Sequence, residues 1–184
     1  MGGIRDASRR SIGRCSTRHY TLVPTPMTPP VLERLKAKLT QAGVPFQVQH
    51  HEPVFTSEQA AAVRGTTLAS GAKALVLKVD AQTGLFVLPA DRRLDNKKLR
   101  TALNARIVRF ATADEVLGIT GLRPGSIPPF GSLFDLTTYC DPALAANETI
   151  NFNAGDHSVS ISIAYSTFVA VEAPRMLEFT TVDS

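Results

Sequence analysis

The sequence predicts an α/β fold, on three observations. Stretches with helical and strand periodicity alternate along residues 28–172 instead of segregating into blocks. Two strongly apolar runs, 72–80 and 84–90, lie close enough together to form a hairpin. The third observation is Gly121-Leu122-Arg123-Pro124-Gly125-Ser126-Ile127-Pro128-Pro129-Phe130-Gly131, which carries three glycines and three prolines and can be neither helix nor regular strand. Proline fixes φ and glycine permits angles that other residues avoid, so such a loop follows a stiff, curved path.

A chain of 184 residues can bury a sizeable core, and its length favours one domain. No apolar run approaches the ~18 residues of a membrane-spanning helix. Cys15 and Cys140 lie far apart and outside any ligand-like spacing, which points away from a disulfide or zinc site and toward a reducing compartment such as the cytoplasm. The net charge of +4 resembles a nucleic-acid signature until it is located. Arg5, Arg9, Arg10, Arg14 and Arg18 against Asp6 account for all of it, and the remaining chain balances 15 basic with 15 acidic residues. Residues 1–27 thus read as a disordered basic extension, with a transit peptide and an arm for tRNA phosphates as the alternatives.

Thr28-Pro29-Pro30 opens the first helix, whose apolar face is Val31, Leu32, Leu35 and Leu39, and Gly43 ends it. Residues 46–51 alternate like a half-buried strand, which would send His50 and His51 to opposite faces and prevent joint chelation. Thr56-Ser57-Glu58-Gln59 is a capping box for a short helix over 58–64, stopped by Gly65. The small Ala60, Ala61 and Ala62 on it either limit a pocket or allow close packing. The hairpin 72–90 turns at Gln82-Thr83-Gly84. Lys73 opens its first strand, where a charge must either snorkel to solvent or meet an anion.

Asp95 caps a helix over 96–104 with Leu99 and Leu103 inward, followed by a strand at 107–110. Thr112-x-x-Glu115 caps a helix that ends at Gly118. Arg92, Arg93, Lys97, Lys98 and Arg100 form a basic run, either a solvated face or a contact for phosphates. Beyond the loop, 133–139 reads as strand-rich and Asp141-Pro142 as one helical turn. Strands at 148–153 and 158–163 flank the turn Ala154-Gly155-Asp156, a helix covers 164–170, and the last dozen residues read as a loose tail.

The chemistry is constrained by what is missing. Ser126 lies in no G-x-S-x-G elbow, Cys140 has no persuasive partner, and the four histidines do not cluster with acids at metal-ligand spacing. Neighbouring Asp156 and His157 are not a dyad until geometry makes them one. No internal repeat, dinucleotide or P-loop motif is present.

The loop Gly121–Gly131, together with Gly71-Ala72-Lys73-Ala74-Leu75-Val76-Leu77-Lys78 and Phe152-Asn153-Ala154-Gly155-Asp156-His157, resembles the prolyl-tRNA synthetase editing-domain family, which includes the free-standing YbaK-type and ProX-type deacylases. The likeness covers about residues 30–172. It implies a single-domain YbaK-like fold, with a mixed barrel-like sheet flanked by helices, over an editing domain spanning 28–172. It also implies hydrolysis of mischarged aminoacyl-tRNA without a metal or other cofactor.

On this resemblance Gly125, Ser126, Ile127, Pro128 and Pro129 match the family's G-x-x-x-P loop, whose amides hold the reacting ester. Lys73 holds the terminal adenosine or phosphate. Gly121, Phe130, Gly131, Asn153, Gly155, Asp156 and His157 border the substrate, and the basic run meets tRNA. The expected partners are the tRNA acceptor end and an aminoacyl-tRNA synthetase, with neither membrane nor DNA. Several family members that act on alanyl-tRNA carry a histidine in a Phe-His-Pro segment where this chain has Phe152-Asn153-Ala154-Gly155. The departure keeps seryl-, threonyl- and cysteinyl-tRNA open beside alanyl-tRNA. The rival reading is a non-catalytic tRNA-binding or adaptor module, with the basic extension as its arm.

Overall fold

In the computed structural model, which describes residues 30–182, helix α1 (Val31–Gln41) buries Leu35 and Leu39, four residues apart on one face. Its N-cap is Pro30, without a side-chain cap. The Thr28-Pro29 entry, Cys15 and the extension 1–27 lie outside the described residues. Strand β1 (Gln47–His50) is exposed along its whole length, against the half-buried expectation. It is an edge strand with one neighbour, and its single aliphatic residue, Val48, is too little to hold a face against the core.

Helix α2 (Ser57–Arg64) has the predicted capping box, in which Gln59 N–H donates to Thr56 Oγ1 and Gln59 Oε1 accepts from Thr56 N–H. Strands β2 (Ala72–Val79) and β3 (Gln82–Pro89) form the hairpin, but it turns at Asp80-Ala81 instead of 82–84. Asp80 takes a φ of 50°, which aspartate tolerates, and its carboxylate accepts from the N–H groups of Arg106 and Ile107. Those long-range bonds fix the turn two residues earlier than the Gln-Thr-Gly signal suggests.

Strand β4 (Arg92–Leu94) leads to helix α3 (Asn96–Leu103), where the Asp95 carboxylate accepts from Lys97 and Lys98 N–H as expected. After strand β5 (Val108–Phe110), helix α4 (Ala113–Thr120) continues through Gly118 and is capped by Gly121, at φ 71°. Val116 and Thr120 both bury one turn apart, which outweighs the ~1 kcal/mol a helical glycine costs. The segment expected to be strand-rich begins instead as a 3-10 turn, Gly131–Phe134, before strand β6 (Thr137–Cys140). A second 3-10 turn, Pro142–Ala146, precedes strands β7 (Thr149–Asn153) and β8 (Val159–Ala164) and helix α5 (Tyr165–Glu172).

The tail expected to be loose is built in as far as Val182. Strand β9 (Arg175–Met176) pairs with β6, and strand β10 (Thr180–Val182) with β4. Between them Phe179 is fully buried, edge-on to Phe86 at 5.6 Å, and its N–H donates to the Asp141 carboxylate at 2.9 Å.

The strands make one five-stranded mixed sheet, β5-β2-β3-β6-β9, one three-stranded antiparallel sheet, β1-β8-β7, and the β4–β10 pair. The mixed α/β class is as the sequence predicts, although the sheets stay open and no barrel closes. A parallel bridge from Gly71 to Asn151 joins the two larger sheets where β2 begins. The main core lies between them, with Phe130 packed on Phe152 and Phe168 at ring distances of 5.8 and 5.6 Å. A smaller core of Leu77, Phe86, Leu88, Leu99 and Phe179 fills the far face of the hairpin. Among the described residues no helix is long and apolar enough to cross a membrane.

Candidate active site

At the Gly71–Asn151 junction the sheets part into a cleft of about 180 Å³, bounded by α2, the start of β2, the Gly/Pro loop and the β7–β8 turn. Each boundary follows from local chemistry. The capping box fixes the start of α2, so that Ala60 and Ala61 line the cleft floor while Ala62 is exposed outside it. Lys73, second in β2, lines the cleft with its stem and donates from Nζ to the Arg92 carbonyl at 2.6 Å.

The loop owes its shape to a turn over 123–126. Ser126 N–H and Oγ–H both donate to the Arg123 carbonyl, at 3.2 and 2.9 Å. Pro124 stands second and Gly125 third, with φ 90°, the arrangement a type II turn requires. Two bonds then pin the loop to the β7–β8 turn. Asn153 Nδ2–H donates to the Gly125 carbonyl at 2.7 Å, and Gly155 N–H donates to the Ser126 carbonyl at 2.8 Å. The N–H groups of Gly125 and Ile127 donate to no protein acceptor among the described residues, and both residues line the cleft.

His157 closes one wall. Its Nδ1–H donates to the Val54 carbonyl at 3.1 Å, which in the neutral ring leaves Nε2 as an acceptor. The ring lies 4.9 Å from that of Phe55, a residue 74% exposed at the cleft mouth, and its Cε1 is 3.0 Å from where a β-carbon on Gly125 would stand. Asp156 does not orient it. That carboxylate accepts from Ser158 N–H and Oγ–H, bonds that lower its pKa, so Asp156 and His157 form no dyad.

The structure therefore brings Lys73, Gly125, Ile127, Asn153 and His157 together and leaves other predicted site residues elsewhere. Ser126 turns its hydroxyl back to Arg123. Pro128, Pro129 and Phe130 are buried, Phe130 at the centre of the core. Gly131 donates its N–H to Thr138 Oγ1 and has no room for a β-carbon, which would stand 2.5 Å from that oxygen. Gly121 is the exposed cap of α4, and Gly155 packs against Val31 of α1. Their part in the site is to shape the loop and its anchor.

In the basic run, Arg92 and Arg93 lie on β4, which Lys73 joins to the cleft. Lys97, Lys98 and Arg100 lie on the exposed side of α3, where Lys98 Nζ also bonds Glu178 and the Thr180 carbonyl. Cys140 is buried, and its thiol is pushed up to about 12 by desolvation and then by Asp141, which keeps it protonated and unreactive.

One cleft residue escaped sequence reasoning. Arg64, the last residue of α2, donates from Nε to Ser160 Oγ at 2.8 Å and from a terminal nitrogen to Asn153 Oδ1 at 2.5 Å. Burial pushes its guanidinium down to about 10. In sequence it reads as a favourable basic residue in a helix's last turn; only its place opposite β7 and β8 distinguishes it.

The family described as "Aminoacyl-tRNA editing domain" matches residues 51–170, which hold every residue of the cleft. The chain is 35% identical over 152 residues to the "Multifunctional Ser/Thr-tRNA deacylase ProXp-y" of Escherichia coli strain K12, covering 80% of this chain and 91% of that protein. It is 30% identical over 120 residues to the proline–tRNA ligase of Bacillus licheniformis, covering 62% of this chain but only 21% of the ligase. The crystal structure of a candidate trans-editing enzyme for prolyl-tRNA synthetase superposes with a TM-score of 0.74 at 22% identity, over 84% of this chain and 99% of the other, and so shares the fold. The chain belongs to the aminoacyl-tRNA editing domain family.

Proposed function

We propose that this member of the family is a trans-acting deacylase that removes a small noncognate amino acid from tRNA by direct attack of water on the ester. The observation that carries the proposal is the convergence of Lys73, the Gly125–Ile127 segment and His157 on one small cleft. Water adds to the ester carbonyl and the carbonyl electrons move to oxygen; the tetrahedral oxyanion then collapses as the acyl C–O bond breaks, and the proton given up by the water goes to the departing ribose oxygen, releasing the tRNA hydroxyl and the free amino acid. The unengaged amides of Gly125 and Ile127 are fitted to receive that oxyanion, and such donors are worth roughly 10²–10³ in rate. Lys73 supplies a cation at the end of the cleft nearest β4, for the adenosine or its phosphate. Nε2 of His157 is an acceptor for water or for the substrate's ammonium group.

Walls of Ala60, Ala61, Ala72 and Ala74 suit a small side chain. The Ser/Thr relative and the absence of a Phe-His-Pro segment favour seryl- and threonyl-tRNA over alanyl-tRNA. Arg92, Arg93, Lys97 and Arg100 extend the cation field from Lys73 toward the acceptor stem, where phosphate contacts supply sequence-independent affinity.

The test is deacylation of Ala-, Ser-, Thr-, Cys- and Pro-tRNA by the wild type and Lys73→Ala. Hydrolysis of the seryl or threonyl ester, with Pro-tRNA spared and activity lost in the variant, is the expected result. A variant that hydrolyses as the wild type does removes Lys73 from the site. A wild type that binds tRNA but cleaves no ester favours the adaptor.

A further inference from the structure

Arg64 has no task in the reaction just described, yet its bonds reach the loop that holds the ester. Among the described residues it has no carboxylate partner, although it is half-buried. A half-buried guanidinium without a counter-ion is costly, and here its planar fork of donors holds two acceptors at once. Two of those donors are accounted for, one on Ser160 and one on Asn153.

A guanidinium can only donate, and this fixes the sense of both of its bonds. Asn153 must accept through Oδ1, so its amide presents Nδ2–H to the Gly125 carbonyl, 2.7 Å away. Ser160 Oγ must likewise accept from Arg64. His51 Nδ1–H donates to the Glu52 carbonyl at 2.8 Å, so in the neutral ring Nε2 accepts the Ser160 proton at 2.7 Å. Hydrogen bonds thus run outward from Arg64 in two directions, through Ser160 on β8 to His51 beside the outer strand β1, and through Asn153 on β7 to the loop.

We propose that Arg64 is a positioning residue: by locking the Asn153 amide it sets the place of the Gly125 carbonyl, and with it the direction of the Gly125 and Ile127 amides in the cleft. Lysine would not substitute, because one ammonium cannot hold two acceptors at the angle of a planar fork. The catalytic consequence rests on the deacylase reading, whereas the effect on the loop does not.

The experiment compares wild type, Arg64→Met, Arg64→Lys, Asn153→Ala and the double variant Arg64→Met/Asn153→Ala. The readouts are kcat and KM on the aminoacyl-tRNA that the wild type hydrolyses, affinity for uncharged tRNA, and hydrogen exchange at Ser126 and Gly155, the amides that hold the loop. Arg64→Met is expected to lower kcat on the order of 10²-fold at unchanged KM and tRNA affinity, because small misplacement of reacting groups costs that much. Asn153→Ala should match it, the double variant should be no worse than either, and exchange at Ser126 and Gly155, whose amides close the turn and its anchor, should quicken in all of them. Arg64→Lys should not restore kcat. It keeps the charge and stem, and carries the test if Arg64→Met fails to fold.

Weaker tRNA binding with kcat preserved, and rescue by lysine, would make Arg64 a phosphate anchor instead. Additive losses in the double variant, or unaltered exchange in the loop, would also overturn the proposal. If the wild type hydrolyses no ester, the deacylase reading fails, and the exchange data alone decide whether Arg64 positions the loop.

Discussion

Gly125 is the residue on which loop and wall meet. Its φ of 90° is one that residues with a β-carbon avoid, and an added β-carbon would stand 3.0 Å from His157 Cε1. Gly125→Ala is therefore expected to cost about 1–3 kcal/mol in strain and to displace either the His157 ring or the loop. Urea unfolding checks the first effect. A fall in kcat on the preferred aminoacyl-tRNA, larger than the stability loss explains, checks the second. Full activity with normal stability would mean that the turn can relax without moving the amides. By contrast, the Ser126 hydroxyl is held by the Arg123 carbonyl, so the deacylase reading assigns the chemistry of the G-x-x-x-P motif to its backbone and not to a serine nucleophile.

At the scale of elements, α4 delivers the chain to the loop, and its start is held by charge. Glu115 caps the helix and accepts from both terminal nitrogens of Arg109, at 2.7 and 2.8 Å. The Arg109 bonds, followed by the Thr112 N–H, hold its carboxyl down to about 2 from the ordinary 4.5. A carboxylate with a depressed folded pKa contributes stability that is complete above the unfolded pKa and is lost as pH falls through the folded one. This contribution should thus be intact above about pH 4.5 and disappear progressively toward about pH 2. Thermal unfolding across that window should show a steeper loss in wild type than in Glu115→Gln. Identical profiles would mean that this pair contributes nothing, as many exposed pairs do.

At the scale of the molecule, the C-terminal segment joins the smaller core to the basic strand. Phe179 fills the space beside Phe86 while β10 holds β4, the strand carrying Arg92 and Arg93. Phe179→Ala should cost about 3–5 kcal/mol, the usual range for emptying a buried phenylalanine site. Chemical denaturation measures it, and a loss under 1 kcal/mol would place the tail outside the cooperative unit.

The features that could be read from the sequence are those whose causes are local. Both capping boxes, the Asp95 cap, the hairpin strands and the strand pair around Gly155 arise from residues a few positions apart, and each is present in the structure. Lys73, Gly125, Asn153 and His157 were legible because they stand inside motif-like stretches that resemble a family. What failed depended on partners far along the chain. The hairpin turn moved to Asp80 because that carboxylate bonds Arg106 and Ile107, the tail was ordered by Phe86 and Asp141, and Gly118 stayed helical because its neighbours are buried.

Arg64 is the clearest case. Its partners, Asn153 and Ser160, lie 89 and 96 residues away, and nothing in the local pattern distinguishes it from an ordinary helix-ending arginine. The sequence by itself determined the α/β class, the capped helices and the loop's stiffness, because periodicity, capping and backbone restriction act over a few residues. Only the tertiary structure decided which loop amides stay free, which histidine nitrogen accepts and which cation holds the loop, because those depend on groups that meet when two sheets pack.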